Sequence, residues 1–214
     1  MRAAVLLVVT ACTVPPPFHV LETSETLAAR KISVTAGAGG GTGDLDDCCV
    51  GGAARVRVGV GGNQEVGVDG NVLLSSNSTI GGVKLAYKWR PHEGIAFVAG
   101  PGFMFGGDTA DKNAVGGDLG AIVSKPVGER ATVYSALRLA VAVPLRDDMY
   151  ELGGVSESLV LPIGIGYPLG PQTRLFGELG GIGALSQIRD GRTMEIDSHT
   201  NVGWYGAIAI SYSP

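Results

Sequence analysis

The chain has 214 residues, a net charge of −4 and a mean hydropathy of +0.26, so no basic footprint marks it for nucleic acid. Gly supplies 35 residues, and at about 1 kcal/mol per helix-interior position this argues against long soluble helices. The glycines follow no three-residue period, which excludes collagen, and no apolar run approaches the ~20 residues of a membrane-spanning helix.

The N-terminus reads as an export signal: Met1-Arg2 followed by the short apolar run Ala3-Ala4-Val5-Leu6-Leu7-Val8-Val9. Val9-Thr10-Ala11-Cys12 resembles the bacterial lipobox, in which small residues precede a lipidated Cys, although Val stands where Leu is commoner. The resemblance implies a signal peptide over 1–11, lipidation at Cys12 and passage to the outer membrane, because Thr13 rather than Asp follows. Residues 12–30 then form a tether: Pro15-Pro16-Pro17 is stiff and extended, and the polar stretch beginning Leu21-Glu22-Thr23-Ser24-Glu25-Thr26 is assigned no chemistry.

From residue 31 onward, stretches of about ten residues alternate apolar with small or polar residues. Strands are predicted over 31–40, 54–61, 65–74, 79–90, 95–105, 114–124, 131–144, 158–167, 173–186 and 201–212. Val133, Ser135, Leu137, Leu139, Val141 and Val143 point one way, while Thr132, Tyr134, Ala136, Arg138, Ala140 and Ala142 point the other. The gaps alternate short and long. Connections at 62–64, 91–94, 126–130 and 169–172 are short and rich in turn formers; those at 41–53, 106–113, 145–157 and 187–200 are long and mostly acidic. Residues 75–78 are a short member of the second set.

Which face lies inside decides the compartment. Lys31, Arg55, Arg57, Glu65, Asp69, Lys84, Lys88, Asp118, Arg138, Arg174 and Glu178 all stand out of phase with the apolar residues of their own strands. Facing lipid, Lys or Arg would cost roughly 2–4 kcal/mol each; facing a lumen, they can pair. Tyr87, Trp89, Tyr167 and Tyr212 share the apolar face near the short-turn ends, and Trp204 shares it near the opposite end. At ~3.3 Å per residue and a ~40° tilt, the distance from Trp204 to Tyr212 covers about 20 Å of membrane normal, which suits two aromatic rims on an apolar band. The fold expected is all-β: an antiparallel up-and-down transmembrane barrel of about ten strands (eight to twelve) over 31–214, its narrow interior filled by side chains and ion pairs.

Candidate chemistry is sparse. Asp197-Ser198-His199 offers three triad residue types, but neighbours on an extended backbone point apart. His19 and His92 stand in the tether and in a short turn. Gly37-Ala38-Gly39-Gly40-Gly41 lacks the strand-to-helix context of a phosphate loop. Cys48 and Cys49 fall in a long loop without metal-ligand spacing, where free thiols or pairing between molecules is the plain reading. Asp44, Asp46 and Asp47, with Asp147, Asp148, Glu151, Asp190, Glu195 and Asp197, make the long loops acidic, but no calcium-loop motif is present. No metal, cofactor or catalytic residue is assigned.

With its signal, alternating strands and terminal aromatic strand, the chain resembles small bacterial outer-membrane β-barrel proteins carrying a lipoprotein-type leader. The resemblance implies both termini on the periplasmic side, outer-membrane lipids and lipopolysaccharide as surroundings, and the barrel-insertion machinery as an assembly partner. One departure is that Tyr212 is followed by Ser213-Pro214, whereas such barrels commonly end on an aromatic residue. The role implied is structural, surface-interacting or minor solute passage, without enzyme activity. The alternatives are a soluble periplasmic lipoprotein whose barrel binds an apolar ligand on an inward Val/Leu/Ile face, and a barrel hydrolase.

Overall fold

The computed structural model describes residues 21–42, 48–74, 79–106, 113–145, 156–187 and 202–214. Ten strands follow in order: β1 (Ile32–Thr42), β2 (Cys48–Gly61), β3 (Gln64–Leu74), β4 (Thr79–His92), β5 (Ile95–Gly106), β6 (Ala114–Val127), β7 (Ala131–Pro144), β8 (Ser156–Pro168), β9 (Thr173–Gln187) and β10 (Val202–Tyr212). Each pairs antiparallel with its sequence neighbours. The sheet closes where β1 meets β10, from Val34 opposite Tyr212 to Thr42 opposite Trp204. Closure leaves no strand with unpaired backbone along its length, the condition for crossing hydrocarbon with strands.

The short connections are tight. Gly62 and Asn63 join β2 to β3 with φ of +61° and +59°, the mirror-image turn whose twist matches the flanking strands. The β4–β5 connection shrinks to Glu93-Gly94, because His92 pairs with Ile95. His92 is therefore the last residue of β4 rather than a turn residue. These turns, Lys31 and Ser213 all lie at one end of the barrel, called here the short-turn mouth.

The two faces are unlike in the sense expected of a barrel turned inside out. Along β5, Ile95, Phe97, Phe103 and Phe105 are exposed, and Ala96, Val98 and Met104 are buried. Leu179 is 71%, Trp204 67% and Ile163 66% exposed, on a belt of Val, Leu, Ile and Phe that runs round the outer surface. A continuous apolar surface of this kind needs an apolar medium or partner to cover it. This corrects the alternative of a soluble barrel with an inward Val/Leu/Ile face: those side chains point out, and the charges point in.

The largest boundary difference is at β2, which begins at Cys48 rather than at 54. Cys48 through Ala53 pair with Thr42 through Gly37. On β1 this stretch is mostly Gly and on β2 it runs through Gly51-Gly52-Ala53, so backbone pairing persists where there is little side-chain alternation to read. Cys48 and Cys49, expected in a loop, are the first two positions of β2, opposite Thr42 and Gly41. The loop carboxylates named above, with Cys12, His19 and Asp197-Ser198-His199, lie outside the described residues.

Candidate functional site: the filled lumen

Antiparallel register places opposite charges side by side on the inner wall. Arg55 of β2 stands opposite Asp69 of β3, and Asp69 opposite Lys84 of β4. Glu65 stands opposite Lys88 in the same pair of strands. Asp69 takes a bond from Arg55 Nε at 3.1 Å and one from Arg57 Nη2 at 3.0 Å, and lies 3.5 Å from Lys84 Nζ. Lys84 reaches onward to Asp118 of β6 at 2.8 Å, and Asp118 also pairs with Arg138 of β7. One chain of alternating charges thus crosses β2, β3, β4, β6 and β7. Away from water such a chain stands only if its members are mutually satisfied.

The other side of the wall is built from tyrosine and glycine. Tyr134 of β7 and Tyr205 of β10 donate to the two oxygens of Glu178 on β9, at 2.8 and 2.9 Å. Each phenol end is seated against a glycine: a Cβ on Gly164 would overlap Tyr134 Cζ and Oη, and one on Gly180 would come within 2.5 Å of Tyr205 Cε1. Phe176 meets Tyr134 edge-on, with ring centroids 6.1 Å apart.

Residues 21–28, expected as part of a tether, enter the short-turn half of this lumen, with 21–24 buried inside it and 25–28 running out to the mouth. Leu21 joins the buried apolar cluster of Val98, Ile122, Tyr134, Ala136, Phe176 and Ala209, and its N–H donates to Glu178 at 2.7 Å. The Glu22 carboxylate sits 3.4 Å from Arg55, 3.4 Å from Lys88 and 4.0 Å from Arg57. The Ser24 and Ser124 hydroxyls share a hydrogen bond at 2.5 Å. Leu27 N–H donates to Glu65, and Lys88 Nζ donates to the Glu25 carbonyl at 2.5 Å. Glu25 pairs with Arg174 at 2.6 Å at the mouth. Gly59 lets the segment approach, since a Cβ there would come within 2.7 Å of the Leu27 carbonyl oxygen. The segment therefore seats an apolar residue on the tyrosine side and a carboxylate on the charged side.

The charge balance explains the fit. Among the described residues, the inner wall buries the cations of Arg55, Arg57, Lys84, Lys88 and Arg138 and the carboxylates of Glu65, Asp69, Asp118 and Glu178. One cation is left over, and Glu22, itself buried, supplies the matching carboxylate. That surplus of positive charge on the predicted inner faces is the sequence signal that could have drawn the acidic stretch at 21–27 indoors. Beside the segment remains a cavity of about 280 Å³, lined by Arg55, Arg57, Lys88, Arg174, Ser33, Thr35 and Ser211 among others. Towards the other end, Leu73 and Ile182 pack on Ala140, bringing β3, β9 and β7 into contact across the barrel.

Of the residues expected to face the lumen, Arg55, Arg57, Glu65, Asp69, Lys84, Lys88, Arg138 and Glu178 are buried within it. The Asp118 side chain is as well, at 7% exposure. Arg174 is partly exposed at the mouth. Lys31 is a correction: β1 starts one residue after it, and its exposed Nζ donates to the Pro214 carbonyl at 3.2 Å, on the rim. Tyr87, Trp89, Tyr167 and Tyr212 stand on the outer face towards the short-turn mouth, and Trp204 stands on it towards the other end. Trp89 leans on Phe97, with centroids 6.0 Å apart, and the Tyr212 hydroxyl donates to Gln172 at 3.1 Å.

No protein-family model and no curated protein matches the sequence. Solved structures do match in fold. An outer membrane channel from Pseudomonas putida F1 superposes with a TM-score of 0.55 at 13% identity, over 89% of this chain and 98% of that one. The KdgM porin in complex with oligogalacturonate gives a TM-score of 0.44 at 7% identity, over 84% of this chain and 99% of that one. The outer membrane protease OmpT from Escherichia coli gives 0.45 at 9% identity, over 90% of this chain and 100% of that one. The first of these superpositions, together with the closed ten-strand sheet, gives the chain the antiparallel barrel fold of an outer-membrane channel.

Proposed function

We propose that the chain is an integral outer-membrane barrel whose lumen is kept closed by its own N-terminal segment. Its role is structural or surface-interacting, with at most minor passage of small solutes and no catalysis. The observation that carries this reading is the pairing of an apolar outer belt with an inner wall of ion pairs already filled by residues 21–28. The apolar belt fits hydrocarbon. Tyr87, Trp89, Tyr167 and Tyr212 on one side and Trp204 on the other act as its interfacial rims. The short turns and both ends of the described chain face the periplasm, and the long connections face outward beside lipopolysaccharide. Cys12 carries the lipid, with 1–11 removed as its signal.

Fractionation tests the reading. The protein is expected to resist carbonate extraction and to migrate differently on a gel before and after heating, as a closed barrel does. A carbonate-soluble protein without that shift sinks the membrane reading. In planar bilayers the inserted wild-type barrel is expected to pass little current, because both halves of the lumen are occupied. Mass spectrometry of the mature N-terminus decides the lipid: a start other than a modified Cys12 overturns it.

A further inference from the structure

The geometry points to a ligand site at the short-turn mouth: we propose that it binds small carboxylate-bearing solutes, and that Glu22 occupies it as an internal stand-in. The inference rests on the closed-lumen reading above and adds the chemistry that would open it. Glu22 is not part of the barrel wall. Its carboxylate is delivered by residues 21–28, and it sits where two guanidinium groups and one ammonium converge within 4.0 Å. Guanidinium groups suit the planar, two-oxygen shape of a carboxylate, and here Arg55 and Arg57 face Glu22 while also holding Asp69, Arg57 through both terminal nitrogens. A second carboxylate of the same segment, Glu25, is held at 2.6 Å by Arg174, nearer the opening. Two carboxylates of one segment, Glu22 and Glu25, therefore line the same cavity, the pattern a dicarboxylate would present.

Two further observations show that the wall is not used up by this occupant. The cavity of about 280 Å³ lies against the same Arg55, Arg57, Lys88 and Arg174, with Glu22, Glu25 and the wall residue Glu65 also on its lining, and Ser33, Thr35 and Ser211 supply hydroxyls to it. Arg57, which lines the cavity, keeps a buried Nε with no hydrogen-bond partner among the described residues. A buried guanidinium N–H left without an acceptor is a standing cost that an entering oxygen would relieve. The segment is attached to this wall by discrete contacts at Leu21, Glu22, Ser24, Glu25 and Leu27 rather than by strand pairing, so it can leave without unmaking the sheet.

Exchange of Glu22 for a free carboxylate gives a quantitative expectation. While the segment is seated, only a small fraction of molecules is competent to bind, and the apparent affinity falls by that fraction. Isothermal titration of the folded, detergent-solubilised protein with glutarate is the test. Glu22→Gln is expected to bind glutarate at least about tenfold more tightly than wild type, because the competing carboxylate is gone. Glutaramide, the same length without charge, is expected not to bind. Gly59→Val provides a second route, since it displaces Leu27 and Ala28 sterically while leaving every charge in place, and it should shift affinity in the same direction.

Equal affinity of wild type and a heat-modifiable Glu22→Gln variant overturns the proposal. So does glutaramide binding as well as glutarate, and inorganic phosphate binding more tightly than glutarate overturns the carboxylate class. Loss of glutarate binding on adding Lys88→Gln to Glu22→Gln supports it. Carbonate solubility of the wild type would instead overturn the membrane reading, and the titrations would show separately whether the site binds.

Discussion

The two sides of the lumen solve one problem by different means. On β2, β3 and β4 the interior is packed with ions that neutralise one another across the strands, with Asp69 serving Arg55, Arg57 and Lys84. On β7, β8, β9 and β10 it is packed with aromatic rings seated against glycines and gathered by one carboxylate, Glu178. The first side depends on every partner being present, because a buried charge that loses its partner is costly. The second depends on shape, because a ring seated on a glycine tolerates no added methyl. A narrow barrel can be filled either way, and the segment at 21–28 is cut to both, with Leu21 for the rings and Glu22 for the ions.

The ionic side should break hardest. Asp69→Ala removes the carboxylate that three buried cations share, leaving Lys84 to Asp118 and Arg55 and Arg57 to the more distant Glu22, and removing one partner of a buried pair typically costs about 3–5 kcal/mol. Urea unfolding of the folded barrel in lipid vesicles, followed by tryptophan fluorescence, should show that loss. A change below about 1 kcal/mol would mean that water replaces the carboxylate and that the network is not dry.

On the aromatic side, Tyr205→Phe removes one hydrogen bond to an ionised group and should cost about 1.5–3 kcal/mol in the same assay. Gly180→Ala should cost about 1–3 kcal/mol by overpacking, since the new methyl meets the Tyr205 ring. Shape makes a sharper claim than polarity here. Tyr205→Ala combined with Gly180→Ala should be less damaging than the sum of the two single changes, because the ring that clashes has gone. Strict additivity would mean that the glycine is not a seat for the ring.

Most of this division was legible in the sequence for a physical reason: a strand's period of two reports which residues share a face, and charge reports which face avoids lipid. Arg55, Asp69, Lys84, Arg138 and Glu178 were found that way. The period is silent where side chains are absent, so the Gly and Ala stretch around Gly51 and Gly52 hid the first part of β2. It is silent too on a segment with no period of its own. Residues 21–27 read as a polar tether because their partners are distant in sequence, Glu178 from Leu21 and Ser124 from Ser24. Tyr134 and Tyr205 likewise carried no signal as a pair, since β7 and β10 stand three strands apart and the two hydroxyls meet only at Glu178 on β9.

The smallest effect is the most discriminating for where the ionic side ends. Arg174 and Glu25 make a short contact of 2.6 Å, yet their side chains remain 32% and 51% exposed at the mouth. A pair in that setting is worth only about 0.2–1 kcal/mol, and salt screens it over a Debye length of about 8 Å at 0.15 M. Arg174→Gln should therefore lower barrel stability by less than about 1 kcal/mol, and the difference should vanish in molar salt. Under the same salt the loss caused by Asp69→Ala should persist, because its partners are shielded from counterions by the wall. If Arg174→Gln were instead as costly as Asp69→Ala and indifferent to salt, the mouth would be as dry as the interior. The boundary between a permanent ionic wall and an exchangeable ionic mouth would then have to be redrawn around Glu25.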